Sequence, residues 1–384
     1  MRAFDFATVP HIHMERGGAA RIGELLKKWF PAGKVLVVTD RFLHGSGLLA
    51  GALDSLVKHG YPAFVFDGVE ADPAESIVSL CVEMAIRQKV EIVIGIGGGS
   101  SMDVAKVVAA VAHSGQPIAE AYGIGNLHGG RLPLAQVPTT AGTGSEVTRI
   151  SILTTAVSTK LGIVADALYA DRVLLDADLT LGLPPAHTAA TGIDAMVHAV
   201  EAYTSAHLKN PLSDMLAREA LKLLSANLLA VCEDGADADA REAMLLGSML
   251  AGQAFANAPV AAVHALAYPL GGRFHIPHGL SNALMLGPVL AFNRAGATAL
   301  YAELVEVLGN PRTGNDDVDA QTFIDSILVL VERSGAPRRL RDVNVPREAL
   351  PLLAADAMKQ TRLLVNNPVP VNEAAALAMY EQAY

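Results

Sequence analysis

The chain has 384 residues, of which 51% are hydrophobic and 18% charged, so it holds enough apolar material for a large core and is not intrinsically disordered. This length predicts two domains. The formal net charge of −10 argues against nucleic acid or an anionic membrane as a partner. Cys81 and Cys232 lie far apart, which favours a reducing compartment, the cytoplasm. The polar opening MRAFDFATVPHIH does not read as a signal peptide.

The first half of the chain alternates short apolar runs with helical patterns. Helices are predicted at residues 48–59, 75–88 and 101–112. Strands are predicted at residues 34–39, 63–67, 91–97, 134–138 and 172–176. Because these strands are apolar throughout and alternate with helices, they predict a parallel sheet with helices on both faces.

The second half is dominated by long helical periods rich in Ala and Leu. Examples are residues 186–204, 214–232, 241–257 and 317–334. The most apolar stretch, residues 248–269, contains Gln253, Asn257, Pro259 and His264, which are costly in lipid, so we interpret it as buried helix in a soluble protein. The pattern therefore predicts an α/β domain over residues 1–182 and an all-α domain over residues 183–384.

A glycine-rich segment, IVIGIGGGSSMDVAK, follows the third strand and opens a helix. Its glycines, Gly97, Gly98 and Gly99 among them, let a ligand approach the backbone closely, and Ser100 or Ser101 can cap the helix. The free N–H groups and positive dipole of a helix N-terminus suit a pyrophosphate. A tight turn without a ligand is the alternative.

Two further features of the same half suit a nucleotide. Thr139, Thr140 and Thr143 lie in PTTAGTGSEVT, where they can bond a phosphate or ribose or merely cap the next helix. Asp40 ends the first strand, where a carboxylate can accept bonds from ribose hydroxyls and repel a 2′-phosphate, or act as a helix N-cap. Two small-residue loops in one α/β domain favour a dinucleotide.

The second half carries candidate metal ligands. Asp194 and His198 are four residues apart in a helical period, so they share one face and can bind one cation; a simple Asp–His hydrogen bond is the alternative. His264, His275 and His278 follow in HALAYPLGGRFHIPHG, where a lone buried histidine is more often a core residue. Three histidines and one carboxylate suit a borderline divalent ion, either Fe(II) or Zn(II).

Taken together, these motifs resemble the iron-containing alcohol dehydrogenase family over almost the whole chain. The motifs GGGSSMDVAK, PTTAGTGSEVT, GIDAMVHAVEAY and HALAYPLGG…PHG stand in the family's order. The resemblance implies a Rossmann-like α/β domain followed by a helical metal-binding domain, the dehydroquinate synthase-like architecture. It implies an NAD-dependent enzyme that transfers hydride between a small primary alcohol or aldehyde and NAD(H), and a homodimer.

The resemblance also implies the site residues. For the metal they are Asp194, His198, His264 and His278. For NAD they are Asp40, Gly97, Gly98, Gly99, Ser100, Ser101, Asp103, Thr139, Thr140, Thr143, Lys160 and Leu179. Tyr268 and His278 are placed at the reacting centre, and Phe255, Val260 and Leu363 along the substrate.

The sequence departs from the family pattern at three places. Tyr268 stands where many members have a histidine, Asp72 where many have an asparagine, and Val369 closes a segment that often ends in arginine. These departures leave the route of the proton and the substrate open. One alternative is an oxo-acid reductase such as a 4-hydroxybutyrate dehydrogenase, with Arg149 or Arg273 holding the carboxylate. Others are a polyol dehydrogenase or lyase of the same architecture, and a non-catalytic binding scaffold.

Overall fold

The structure, a computed structural model, describes residues 3–155 and 160–384, and the chain forms two compact units. The α/β unit comprises Thr8–Thr140 and Gly144–Leu181. The helical unit comprises Gly182–Tyr384 together with two short segments, Met1–Ala7 and Ala141–Thr143. The predicted division at residue 182 is a single cut and does not anticipate these two segments; as a division into functional domains it stays a prediction.

A six-stranded parallel sheet forms the centre of the α/β unit. Its strand order is β1-β9-β6-β4-β2-β3, and a three-stranded sheet has the order β5-β8-β7. The strands are β1 Ile12–Met14, β2 Val35–Asp40, β3 Ala63–Val69, β4 Ile92–Gly97, β5 Gly123–Ile124, β6 Leu134–Pro138, β7 Ile150–Thr154, β8 Lys160–Val164 and β9 Arg172–Leu175. In the register of the large sheet, Val37 pairs with Ile94, and Ile94 with Ala135. These residues are buried, as continuous apolar strands covered on both faces require.

Helices cover this sheet. They are α1 Ile22–Trp29, α2 Arg41–Gly45, α3 Ala50–Lys58, α4 Glu75–Gln88, α5 Gly99–Ser114 and α6 Ile118–Ala121. Ile22, Leu26 and Leu56 of α1 and α3 pack with Val37 and Ile94 of the sheet in one hydrophobic cluster. Helix α5 follows β4 directly and packs against β4 and β6. The glycine-rich segment therefore lies at the carboxyl end of a central strand, where α/β sheets bind ligands.

The second unit consists of helices in the part of the chain that the structure describes. They are α7 Pro185–Thr204, α8 Pro211–Glu233, α9 Ala238–Asn257, α10 Ala262–Phe274, α11 His278–Leu304, α12 Asp316–Arg333, α13 Leu350–Ala357, α14 Thr361–Leu364 and α15 Glu373–Ala383. Helix α7 packs against α8, α9 and α11, and α10 packs against α11. The predicted α/β domain followed by a helical domain is confirmed.

The apolar stretch 248–269 belongs to two helices. The predicted helix 241–257 ends where α9 ends, at Asn257, and α10 begins at Ala262. Pro259 lacks a backbone N–H and restricts the residue before it, and Ala258 accordingly has a non-helical ψ of 87°. This break separates Phe255 from His264 and lets each approach the site from its own helix.

Among the described residues, α11 is the one helix long and apolar enough to cross a membrane by length and composition alone. Half of its most apolar part is buried inside the protein. It also begins with His278 and carries the fully buried Asn282, which lipid would not satisfy. The absence of a membrane partner stays a prediction.

Candidate functional site

Helix α7 presents two candidate ligands from one face. Asp194 and His198 are one turn apart, and both are almost fully buried, at 2% and 4% exposure. Pro185 begins this helix, where its missing N–H costs nothing. The predicted i, i+4 pair is therefore a pair on a buried helix face.

Two other helices complete the cluster. His264 lies in the first turn of α10, and His278 is the first residue of α11. One ligand atom from each of Asp194, His198, His264 and His278 lies within 4.8 Å of the other three. The Asp194 Oδ1 atom is 3.9 Å from Nε2 of His198 and 3.7 Å from Nε2 of both His264 and His278. The four predicted ligands thus meet at one point.

The protonation states suit a cation. Burial, opposed by Asp194, lowers the pKa of His198 to about 3, so this imidazole is neutral and keeps a lone pair. Burial alone would raise the pKa of Asp194, but the three histidines and the Asn282 amide outweigh it and hold that pKa below its usual value. Neutral imidazoles and an ionised carboxylate are the forms that bind metal, so the donor set fits a divalent ion.

Neighbouring groups hold these ligands in place. Nδ1 of His198 donates to the carbonyl of Gly142 at 3.2 Å, which turns Nε2 toward Asp194. Asn282 is fully buried and its Nδ2 donates to Asp194 Oδ1. Glu201 accepts a hydrogen bond from Nδ1 of His264 at 2.7 Å. Sequence reasoning missed Asn282 and Glu201, although Glu201 stands three residues after His198 on the same helix.

One candidate histidine lies outside this cluster. His275 is exposed and ends α10 in the left-handed conformation, with φ 54°. It belongs to the short connection that leads to Pro277 and His278. Gly271 and Gly272 lie just before it, in the last turn of α10.

Some of the residues predicted at the reacting centre and along the substrate contact the metal-ligand cluster, and others do not show such a contact. The ring of Phe255 stacks on His198 with centroids 4.3 Å apart, and the Tyr268 ring is tilted 6.0 Å from that of His278. Val260 and Leu363 are buried. The Val260 carbonyl accepts a hydrogen bond from Asn366, which follows α14. Phe255 and Tyr268 therefore lie beside ligands, and the role of Val260 and Leu363 stays a prediction.

The glycine-rich segment of the α/β unit has the geometry of a backbone cradle. Gly97 has φ 156°, and a Cβ there would lie 2.6 Å from the Ser101 hydroxyl. Gly98 is the N-cap of α5 and offers no side chain to the helix N–H groups, which leaves them to an anion. Thr140 lies beside Gly98, and the Thr139 N–H donates to the Gly97 carbonyl. Gly99 and Ser100 form the first turn of α5.

A buried polar network ties this helix to the second loop. Lys106 of α5 is fully buried and donates to Asp103, to the hydroxyls of Ser145 and Thr148, and to the carbonyl of Ile150. Asp103 also accepts from the Ile152 N–H at 2.9 Å. Asp103 thus has a structural role in joining helix and loop, whatever it contributes to cofactor binding.

The remaining cofactor candidates are spread over the α/β unit, with one exception. Asp40 is the N-cap of α2 and accepts from the Leu43 N–H at 2.9 Å. Lys160 donates to Asp72 at 2.6 Å, so the departure at position 72 creates an ion pair. Leu179 packs in the hydrophobic cluster beneath the sheet. Thr143 belongs to the segment that groups with the helical unit, so the predicted loop is divided after Thr140.

A buried carboxylate with three imidazoles, on a chain that also carries a nucleotide-type glycine cradle, is typical of a metal-dependent enzyme that uses a nucleotide cofactor. Comparison with known families identifies which family of such enzymes this is. Residues 10–177 match the family model for iron-containing alcohol dehydrogenase, and residues 188–384 match the C-terminal model of the Fe-containing alcohol dehydrogenase family. The chain belongs to the iron-containing alcohol dehydrogenase family, and the expected class of NAD-dependent, iron-type alcohol dehydrogenase is confirmed.

Individual relatives cover nearly the whole chain. Long-chain-alcohol dehydrogenase 1 of Geobacillus thermodenitrificans is 42% identical over 357 residues, which are 91% of this chain and 89% of the relative. The crystal structure of a 1,3-propanediol oxidoreductase has a TM-score of 0.96 at 34% identity and full coverage of both chains. Sulfoacetaldehyde reductase from Bifidobacterium kashiwanohense, solved with NAD+, has a TM-score of 0.89 at 30% identity, covering 100% of this chain and 99% of that one.

Proposed function

We propose that this enzyme transfers hydride between a small primary alcohol or aldehyde and NAD(H), at one divalent ion held by Asp194, His198, His264 and His278. The observation that carries the proposal is the convergence of these four ligand atoms within 4.8 Å of one another on buried helices. When bound, the ion withdraws electron density from the alcohol or carbonyl oxygen, and the nicotinamide exchanges hydride with the adjacent carbon.

The chain's own residues then have defined tasks. Asp194, His198 and His264 are buried and would hold the ion away from solvent, whereas the His278 side chain is 33% exposed. We propose that substrate enters on the His278 side, beside Tyr268. Phe255, stacked on His198, is a rigid apolar wall that orients the substrate chain, and we propose Val260 and Leu363 as further parts of this wall.

The charged groups near the site motifs support an uncharged substrate. The relatives named above act on a long-chain alcohol, a propanediol and sulfoacetaldehyde, so the family tolerates different chains. An oxo-acid needs a cation free to hold its carboxylate. Arg149 is paired with Asp166 and Arg273 with Asp356, so neither candidate arginine is free of an anionic partner. An uncharged alcohol or aldehyde fits these residues better.

We propose that NAD binds at the glycine cradle. Gly97, Gly98, Gly99, Ser100 and Ser101 take the pyrophosphate at the N-terminus of α5. Thr139, Thr140 and Thr143 contact the nucleotide, with Asp103, Lys160 and Leu179 nearby. Asp40 accepts from the ribose hydroxyls. Buried Ser101 is supported by its position against Gly97, and Thr140 by its position against Gly98.

Three finer features belong to the same proposal. The ion in the cell is Fe(II), with Zn(II) as a compatible substitute. The enzyme acts in the cytoplasm, which its two free cysteines, buried Cys81 and half-buried Cys232, support. It functions as a homodimer with a small alcohol or aldehyde as its partner molecule, without nucleic acid or membrane.

The metal assignment is tested by elemental analysis of purified His264→Ala beside wild type. We expect metal content to fall from about one ion per chain to a small fraction, and NADH formation from ethanol or 1,3-propanediol to fall with it. His275→Ala is the matched control, because His275 lies outside the cluster. Undiminished metal in His264→Ala would overturn the ligand assignment.

A further inference from the structure

Helix α7 carries a third buried acid–base residue on the face that holds Asp194 and His198. Glu201 follows His198 by three residues and Asp194 by seven, the spacing of one helix face. Its exposure is only 4%. A carboxylate is rarely buried so deeply unless its oxygens accept several hydrogen bonds.

Among the described residues, the start of α10 donates three hydrogen bonds to this carboxylate. Oε2 accepts from the backbone N–H of Ala261 at 2.9 Å and from Nδ1 of His264 at 2.7 Å, and Oε1 accepts from the N–H of Val263 at 2.7 Å. Ala261 is the N-cap of α10 and has no capping side chain of its own. Glu201 therefore caps, from a neighbouring helix, the helix that carries His264.

We infer that Glu201 is a positioning residue for the metal centre, which acts by fixing the ring orientation and tautomer of His264. Because Nδ1 donates its proton to Glu201, the lone pair of the neutral ring is on Nε2, the atom 3.7 Å from Asp194 Oδ1. Metal-binding histidines are commonly held in this way, and a carboxylate partner also raises the basicity of the ligand nitrogen. The inference rests on the metal site proposed above and extends it to a residue that does not touch the ion.

The substitution Glu201→Gln removes the charge of this side chain but keeps its shape. Its side chain matches glutamate in size, but one oxygen becomes an NH2 group that faces N–H donors. If that NH2 lies toward His264, it favours the tautomer whose proton is on Nε2, which cannot bind metal. If it lies toward Val263, two donors oppose each other at the start of α10. Either arrangement weakens the ligand while the fold keeps its packing.

The test is the affinity of the metal-free protein for Zn(II), measured by competition with a chromophoric chelator. We expect Glu201→Gln to bind Zn(II) about 10- to 100-fold more weakly than wild type. The matched control is Asp319→Asn, because Asp319 is also a buried carboxylate of the helical unit and accepts from a backbone N–H and a side chain, those of Thr313. Asp319→Asn is expected to keep Zn(II) affinity within about twofold of wild type. Urea unfolding of each variant establishes that it is folded; if Glu201→Gln is not, Glu201→Asp, which keeps an acceptor but withdraws it, replaces it with the same expected direction.

A double variant distinguishes positioning from general support of the fold. If Glu201 acts through His264, Glu201→Gln should lower the affinity of His264→Ala no further. Wild-type affinity in Glu201→Gln, or an equal loss in Asp319→Asn, would overturn the inference. Undiminished affinity in His264→Ala would instead overturn the metal site itself, so the two failures are distinguishable.

Discussion

Asp40 has two roles at the end of β2, one observed and one proposed, that one substitution can separate. Its Oδ1 accepts from the Leu43 N–H and so caps α2, and we propose that its charge lies beside the ribose of the cofactor. Asn caps a helix as well as Asp does but cannot repel a 2′-phosphate electrostatically. We therefore expect Asp40→Asn to raise the ratio of kcat/KM for NADP to that for NAD by about tenfold or more, with little change in the free energy of unfolding. Wild-type enzyme that already uses NADP as well as NAD would refute this role.

Tyr268 occupies the position where many family members have histidine, beside His278. Tyr268→Phe keeps the ring that packs there and removes only the hydroxyl. If the proton leaves through water, we expect a loss of less than about tenfold in kcat, or roughly 1.4 kcal/mol of barrier. The measurement is steady-state ethanol oxidation at matched metal content. A loss of a thousandfold with metal and NAD binding intact would make the hydroxyl catalytic.

At the residue scale, the sequence predicted the residues that belong to a motif and missed those that do not. The four ligands were predictable because Asp194 and His198 share a helical spacing and His264 and His278 match family positions. Asn282 and Glu201 were not, since a carboxamide and a carboxylate on long apolar helices have many possible partners. Only the packing of α7 against its neighbouring helices shows which partner each takes.

Helices α7 and α11 approach each other closely at a glycine beside a ligand. A Cβ at Gly279 would lie 2.3 Å from the Ala190 carbonyl oxygen, a contact that only a shift of the backbone can relieve. Gly279→Ala is therefore expected to destabilise the fold by about 1–3 kcal/mol, as overpacking does, and to weaken metal binding by moving His278. Urea unfolding and metal content measure both effects.

Gly272 is the matched control for this substitution. It lies in α10, is exposed, and a Cβ there would meet no atom within 4 Å. Gly272→Ala should instead stabilise the protein by up to about 1 kcal/mol, because alanine is the better helix former. If Gly279→Ala and Gly272→Ala changed the free energy of unfolding equally, the close approach to Ala190 would not be the reason for glycine at position 279.

Elements with strong periodicity were predictable, and short or broken ones were not. The five predicted strands and three predicted helices of the α/β half lie within two residues of those observed. The small sheet of β5, β7 and β8 was missed, although Ile150–Thr154 shows the alternating burial of a strand with one covered face. The helix predicted at residues 241–257 ends where α9 ends, but the separate start of α10 at Ala262, beyond Pro259, was not predicted.

At the scale of the whole molecule, the chain length and the change of pattern near residue 182 predict two domains, but they do not predict that Ala141–Thr143 groups with the helical unit. Residues 141–143 lie within a loop of the α/β half by sequence and group with the helical unit by contact. A Cβ at Gly142 would lie 2.7 Å from Thr191 of α7, and the Gly142 carbonyl accepts from His198. No local pattern encodes such contacts, because Thr191 lies 49 residues and His198 lies 56 residues beyond Gly142.

A buried acid in the α/β unit makes the stability of the protein depend on pH. Glu146 is 1% exposed, and its Oε2 atom has no hydrogen-bond partner in the structure. Burial, partly offset by a backbone hydrogen bond and by Lys106, raises the pKa of Glu146 from 4.5 to about 7. The folded state therefore holds this proton over a range in which the unfolded chain releases it. Stability from this group is complete below about pH 4.5 and is lost as pH rises to about 7.

Glu146→Gln tests this dependence, since glutamine resembles the neutral acid at every pH. The free energy of unfolding, measured in urea, should rise relative to wild type between pH 5 and pH 8, by on the order of 2–3 kcal/mol. Glu381→Gln on the exposed side of α15 removes one negative charge at the surface and controls for the change in net charge. If the difference between Glu146→Gln and wild type is the same at both pH values, Glu146 is already ionised in the folded protein at pH 5. The buried Lys106 would then have to compensate its charge, because a lone carboxylate buried without a partner is too costly to persist.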